Sequence, residues 1–76
     1  MRLPPLKSLQ VFLYAAEYQS FKIAAEKLFV SQSAISQQVR LLEDYFDAPL
    51  FERHNKKTCL STKGKLLFPY IKNAFD

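Results

Sequence analysis

Short polar side chains at helical spacing are the residues in this sequence best suited to chemistry. They lie in VSQSAISQQV, residues 30–39, which is rich in Ser and Gln but carries Ile35 and Val39 four positions apart. On a helix these two apolar residues share one face and leave the polar residues on the other. Hydroxyl and amide groups donate and accept hydrogen bonds and can approach base edges closely, so the stretch suits hydrogen-bonded recognition. An ordinary solvated helix face is the alternative, because Ser and Gln are common there.

Catalytic and metal-binding constellations are not predicted. Cys59 and His54 are the only cysteine and histidine in the sequence. One thiol and one imidazole cannot complete a zinc site, and one thiol cannot form an internal disulfide. No carboxylate or nucleophile is spaced to work with His54, which we interpret as a residue at the tip of a loop. We therefore predict no enzyme, no metal and no cofactor.

Length and charge restrict the class of protein further. The 76 residues suit one domain, which buries only about 60% of the surface that its unfolded chain exposes. No apolar run reaches the roughly 18 residues of a membrane span, and no signal peptide is recognisable, so we expect a cytoplasmic protein without membrane contact. The net charge of +4 is unevenly distributed, because five basic residues and no acidic one lie between Arg53 and Lys65. This cationic segment is compatible with a polyanionic partner.

Apolar periodicity predicts four helices and one hairpin. The first helix starts near Pro5 or Leu6, and Ser20, Ser31 and Ser61 are expected to cap the following three. The first predicted helix ends near residue 18, and the other three span residues 21–28, 32–46 and 62–75. The predicted hairpin pairs residues 50–53 with 58–60 around a polar turn at 54–57, in which Asn55 could take a positive φ. Pro69 should kink the last helix, unless its regular part starts only beyond the proline.

The residue pattern of the third predicted helix indicates both the fold class and an outward polar face. Its inward stripe is Ile35, Val39, Leu42 and Phe46, and its outward face is Ser33, Ser36, Gln37 and Arg40. Two helices joined by a short turn, with a polar second helix, form the layout of a DNA-reading helix-turn-helix. A basic hairpin directly downstream favours the winged form, in which the hairpin contacts the DNA backbone or minor groove. We therefore predict a mainly α, winged helix-turn-helix fold with a three-helix core, a short β-hairpin wing and a following linker or dimerisation helix.

These residues also carry a family resemblance. The stretch SFKIAAEKLFVSQSAISQQVRLLEDYFDAPLFER, residues 20–53, resembles the N-terminal DNA-binding domain of LysR-type transcriptional regulators, and LSTKG, residues 60–64, matches that family's last motif. The resemblance covers almost the whole chain, and its combined motifs are highly specific. The opening RLPPLKSLQVF further resembles the subgroup that contains the regulators of glycine cleavage and of chromosomal β-lactamase.

The resemblance implies roles for individual residues. The base-reading positions of the family fall on Gln32, Ser33, Ser36, Gln37 and Arg40. The positions that contact the DNA backbone, or lie on the wing, fall on Ser20, Lys22, Ser31, Arg53, Lys56 and Lys57. Structural alternatives remain, because Ser20 and Ser31 also fit as helix caps, the lysines also fit as solvated charges, and Arg53 could pair with Glu43 or Glu52. Asp47 stands where the family usually has Gly, Gln37 where Arg or His is frequent, and His54 where Arg or Gly is frequent.

The resemblance also implies an organisation and partners. Residues 1–60 would form the DNA-binding domain and residues 61–76 a linker helix that pairs two chains into a homodimer, with higher oligomers in a full-length protein. The residues expected to mediate pairing are Leu66, Leu67, Tyr70, Ile71, Ala74 and Phe75. A small-molecule effector would act only through a domain that this sequence lacks. The predicted function is sequence-specific binding of double-stranded DNA; the alternative is a helical protein-interaction or dimerisation module without specific DNA readout.

Overall fold

The computed structural model describes residues 6–75, which form four helices and one two-stranded antiparallel sheet. The predicted mainly helical fold with a hairpin wing is confirmed, although Pro5, the earlier of the two predicted helix starts, lies outside the described residues. In chain order the elements are α1 (Leu6–Tyr18), α2 (Phe21–Leu28), α3 (Gln32–Phe46), β1 (Phe51–His54), β2 (Lys57–Leu60) and α4 (Thr62–Phe75).

The apolar stripe of α3 holds the helical core together. Ile35 and Val39 pack with buried residues of α1 and α2, and Leu42 packs with Phe12 of α1. The fourth predicted member of the stripe, Phe46, is half-buried and packs against the buried cluster that contains Leu42 and Phe12. The burial of three consecutive turns fixes which side of α3 faces inward, so its polar side faces solvent.

The connection between α2 and α3 is a tight, capped turn, as predicted. The hydroxyls of Ser20 and Ser31 accept hydrogen bonds from the amides of Ile23 and Ala34, each at 3.1 Å. Ser20 caps the start of α2 and Ser31 the start of α3. At the end of α2, Phe29 takes a left-handed conformation with φ 59°, which turns the chain back toward the core. The two helices are therefore joined with little freedom between them.

The wing is a two-residue hairpin. Asn55 and Lys56 both have positive φ, 51° and 66°, as a type I′ turn requires. The positive φ predicted for Asn55 is confirmed, but the predicted four-residue turn is wrong, because His54 and Lys57 pair as the last residues of the strands. The reason is twist: a two-residue turn of this type matches the right-handed twist of its strands, so pairing continues to its edge.

Hydrogen bonds at one place join α3, the wing and α4. The Leu50 amide donates to Glu43 Oε2 at 2.8 Å, and the Leu50 carbonyl accepts from the Ser61 amide at 2.9 Å. The Ser61 hydroxyl donates to the Pro49 carbonyl at 2.6 Å and accepts from the Gly64 amide at 3.1 Å, which confirms Ser61 as a cap. The start of α4 is therefore fixed to the chain segment that follows α3.

The fourth helix is continuous from Thr62 to Phe75 with Pro69 inside it. The alternative that regular helix starts beyond Pro69 is wrong. Proline removes one backbone donor, and the carbonyl that loses its partner belongs to Lys65, an exposed residue that water can reach. Within residues 6–75, no helix is long and apolar enough to cross a membrane.

The apolar residues of α4 divide between the core and the surface. Ile71 is only 7% exposed and packs with Leu50 and Phe12, and the half-buried Leu67 packs beside it. The expectation that Ile71 faces a partner chain is therefore corrected, because its side chain is covered by the chain's own core. The helical pattern identified the apolar residues but not the surface that covers each of them. The exposed members of the predicted set are Leu66, Tyr70, Ala74 and Phe75.

Replacement of Gly64 by Ala tests the packing at the start of α4. A Cβ at this buried position would clash with the Leu50 carbonyl oxygen and lie 2.9 Å from a methyl of Leu60. We expect Gly64→Ala to lower the free energy of unfolding by about 1–3 kcal/mol, because backbone must move to admit the methyl. Urea unfolding measures the change, with Lys63→Ala on the exposed side of the same turn as the control. Equal stability of the two variants would contradict this packing.

Candidate nucleic-acid interface

The outward face of α3, the start of α2 and the wing enclose an open groove of about 450 Å³. The predicted site residues that line it are Ser20, Lys22, Gln32, Ser36, Arg40, Arg53 and Lys56. These residues come from three separate elements. The capped α2–α3 turn and the hydrogen bonds of the Leu50 backbone hold those elements together. The structure thus brings seven of the eleven predicted DNA-contact residues to one concave surface.

The remaining predicted contact residues lie outside the lining of this groove. Ser33 and Gln37 are exposed on α3, Ser31 is exposed at its N-cap, and Lys57 is exposed on β2. Ser33 and Gln37 belong to the same outward helix face as the groove residues, so an object larger than the groove could contact all of them. The hydroxyl of Ser31 accepts from the Ala34 amide and caps α3, which agrees with the structural alternative given for this residue.

Cations dominate the electrostatics of the groove. Its lining contains Lys22, Arg40, Arg53 and Lys56, and the acids Glu43 and Glu52 lie among them. Both carboxylates are engaged locally, because Glu43 accepts from the Leu50 amide and Glu52 lies 3.0 Å from His54 Nε2. Arg53 forms no ion pair among residues 6–75, so the alternative that it is held by either acid is wrong. Its guanidinium is available to a phosphate or a base edge.

Two polar residues of the lining, Thr58 and Gln19, were not singled out from the sequence. Thr58 lies opposite Arg53 in the hairpin, which places both at the groove. The predicted strands already implied this pairing, but nothing in the sequence marked an uncharged residue on a basic wing as part of the site. Gln19 lines the groove from the link between α1 and α2, where it has a φ of 52°. No sequence pattern marks that conformation for Gln.

The described residues contain no group of three His, Cys, Asp or Glu side chains that could hold a metal ion. His54 lies on the exposed wing beside Glu52. The chemistry that the groove offers is hydrogen bonding from hydroxyl and amide groups together with positive charge. That combination suits a polyanion whose edges can be read by polar side chains.

Comparisons with known proteins agree with this geometry. The profile described as "Bacterial regulatory helix-turn-helix protein, lysR family" matches residues 6–65. The glycine cleavage system transcriptional activator of Escherichia coli (strain K12) is 47% identical over 75 residues, which are 99% of this chain and 25% of that protein. The chain therefore spans about a quarter of the length of this relative.

Solved structures share the fold. A Corynebacterium glutamicum OxyR C206 mutant superposes with a TM-score of 0.93 and 35% identity, covering 99% of this chain and 24% of that one. The BenM_DBD/catB site 1 DNA complex superposes with a TM-score of 0.88 and 30% identity, covering 93% of this chain and 80% of that one. The latter protein was solved on DNA with the same arrangement of elements.

The wing tip offers a test that separates stability from binding. A left-handed backbone costs a residue such as Lys56 about 1–2 kcal/mol, whereas Gly adopts it freely at some cost in unfolded-chain entropy. We expect Lys56→Gly to raise the free energy of unfolding by about 0.5–1 kcal/mol and to weaken binding to a mixed-sequence DNA duplex, because one groove cation is lost.

Urea unfolding and fluorescence anisotropy measure the two effects of this substitution. Lys56→Asn removes the same charge at a residue type that tolerates positive φ, so it should show the same loss of binding. Lys65→Ala removes an exposed charge from α4, outside the groove lining, and should bind more nearly like the wild type. Unchanged binding by both Lys56 variants would exclude this cation from the interface.

Proposed function

Because the chain belongs to the lysR family of bacterial regulatory helix-turn-helix proteins, we propose that it binds duplex DNA sequence-specifically as the DNA-binding part of a transcriptional regulator. The observation that carries the proposal is the groove that polar side chains of α3 line together with cations of α2 and the wing. The similar fold of a relative solved on DNA supports it. Neither an enzymatic activity nor a cofactor is part of the proposal, and we expect the protein to act in the cytoplasm.

The third helix would enter the major groove with its N-terminal half. Gln32, Ser33, Ser36 and Gln37 are short or flexible polar residues, able to donate to and accept from base edges. Arg40, further along α3, can reach guanine or a phosphate. Sequence preference would come from these residues, because base edges in the major groove carry a pattern that differs for each base pair.

The flanking elements would supply affinity and register. Lys22 at the start of α2 and Arg53 and Lys56 on the wing line the same groove as the reading face. Phosphate contacts from these residues would fix α3 on the duplex without adding sequence information themselves. The hydroxyls of Ser20 and Ser31 serve as caps and would add backbone contacts only as a second role.

Pairing of two chains through α4 is the proposed source of a palindromic preference. Leu66 and Tyr70 are 61% and 76% exposed, one helical turn apart, and Ala74 continues this face one turn further on, whereas Phe75, although exposed, lies off it at the end of the helix. Residues 61–76 would thus link two DNA-binding units of residues 1–60, with higher oligomers and effector binding requiring parts of the protein outside this chain. Two-fold pairing would place two reading helices about 34 Å apart or a multiple of it.

Selection followed by a salt series tests the proposed function. The chain is incubated with a pool of random duplexes, and the enriched duplex is compared with a scrambled one at increasing salt. We expect enrichment of one motif and a steep fall of log affinity with log salt, as phosphate neutralisation requires. Salt-insensitive association without a motif would instead favour the protein-interaction alternative, in which α4 carries the function.

Gln37→Arg should change which duplex is preferred more than it changes overall affinity. Gln37 is exposed on the reading face, and an arginine there favours the O6 and N7 edge of guanine. Repeating the selection with the variant measures the motif. Arg53→Ala is the contrast, since it should weaken every duplex and reduce the salt slope by about one. An unaltered motif with Gln37→Arg would remove Gln37 from the base-reading set.

Leu66→Glu together with Tyr70→Glu should shift a concentration-dependent dimer to monomer. Both side chains are largely exposed, so the fold is expected to persist, whereas charge at a paired apolar surface opposes association. Sedimentation over a range of concentrations measures the shift, and Lys63→Glu, exposed in the first turn of α4, controls for added charge. If the wild type is monomeric at all concentrations yet binds a palindromic duplex tightly, pairing through α4 is excluded.

A further inference from the structure

A buried hydroxyl in α1 is bonded to the reading helix. Ser8 has no exposed surface, and its Oγ donates a hydrogen bond of 2.6 Å to Oε1 of Gln38 in α3. The neighbouring inward residues of α1, including Val11 and Phe12, are apolar. A polar side chain in this position is therefore not needed to fill the core, since an apolar residue of similar size would serve.

Apolar packing by itself sets the orientation of α3 only loosely. The contacts of Ile35, Val39 and Leu42 are non-directional, so they resist separation of the helices more than a small rotation of α3 about its own axis. A hydrogen bond depends on both distance and angle, so the Ser8–Gln38 bond resists that rotation. Along α3, Gln38 follows Gln37 directly and precedes Arg40 by two positions.

We propose that Ser8 and Gln38 are positioning residues, which fix the rotation of α3 and thereby which base edges its outward side chains meet. This inference rests on the proposed function. With side chains about 5–6 Å from the helix axis, a rotation of about 10° moves a reading atom by about 1 Å. Specific polar contacts require placement within about 0.5 Å, so such a rotation is enough to reduce discrimination between bases.

A second hydrogen bond secures the other half of α3. Glu43 Oε2 accepts from the Leu50 amide at 2.8 Å and ties α3 to the base of the wing. Gln38 ties the middle of α3 to α1, so the reading helix is held to both structures that flank it. Rotation of α3 would disturb both bonds, and the Ser8–Gln38 bond is the one of the two that connects α3 to α1.

Removal of the Ser8 hydroxyl should leave a folded protein. Gln38 is half-buried, so water can replace the lost donor at its side-chain oxygen, and alanine fits the space that Ser8 occupies. Ser8→Ala can therefore be compared with the wild type on the same DNA. Gln38→Met, which removes the acceptor at similar length, provides the second single variant of a double-mutant cycle.

The probes are the duplex that the wild-type chain enriches from the random pool and its single-base-pair variants. We expect Ser8→Ala to lower the preference for the enriched duplex by about two- to tenfold, the range that corresponds to one hydrogen bond, with an unchanged salt slope. In the Gln38→Met background, Ser8→Ala should change the preference no further. Gln38→Glu keeps an acceptor oxygen at the same length and should retain discrimination.

Ile71→Val is the matched control. It weakens the core beside α4, away from the Ser8–Gln38 bond, and should lower thermal stability without changing the preference. Full discrimination by Ser8→Ala, or an equal loss of preference in Ile71→Val, would overturn the positioning role. If the wild type itself prefers no duplex, the proposed function fails and this inference fails with it; a loss confined to Ser8→Ala and Gln38→Met supports both.

Discussion

The backbone of Leu50 is the point on which the arrangement of the wing, the reading helix and α4 depends. Its amide donates to Glu43 near the end of α3, its carbonyl accepts from Ser61 before α4, and its side chain is fully buried. Gly64 lies against the same carbonyl, so α4 approaches as closely as two backbones permit. Because one residue is bonded to α3 and precedes the wing directly, the distance between reading face and wing is set within the chain.

That fixed distance gives the groove its chemical character. Polar residues of α3 line one groove with cations from α2 and from the hairpin, so a duplex can meet base-reading groups and phosphate-neutralising groups together. The acids Glu43 and Glu52 offset only part of this charge, because four cations line the same groove. Preorganisation of this kind favours binding because little backbone freedom is lost on contact.

The sequence predicts local structure well because local rules dominate there. The caps Ser20, Ser31 and Ser61 and the stripe from Ile35 to Leu42 follow from hydrogen-bonding capacity and helical spacing, and the structure confirms them. The left-handed conformation of Lys56 could not be predicted, since nothing in a lysine side chain favours positive φ; it follows from the twist of the strands.

Contacts between residues that are distant in the sequence could not be predicted either. A helical wheel marks Leu66 and Ile71 as apolar but cannot say that only Ile71 is covered by α1 and the core. The Ser8–Gln38 and Glu43–Leu50 bonds depend in the same way on how distant segments meet. Of the candidate site, the residue types on the outward face of α3 and on the wing were predictable, whereas their convergence on one groove required the fold.

The most direct test of the account is a nuclear magnetic resonance titration of the isotope-labelled chain with the duplex that it enriches from a random pool. The central claim is that the duplex occupies the groove between α3 and the wing. We expect the largest changes in chemical shift at Gln32, Ser36 and Arg40 and at the wing residues Arg53 and Lys56. Binding that leaves these signals unchanged, and shifts instead those around the separate cleft beside Lys7, Gln10 and Leu28, would contradict it.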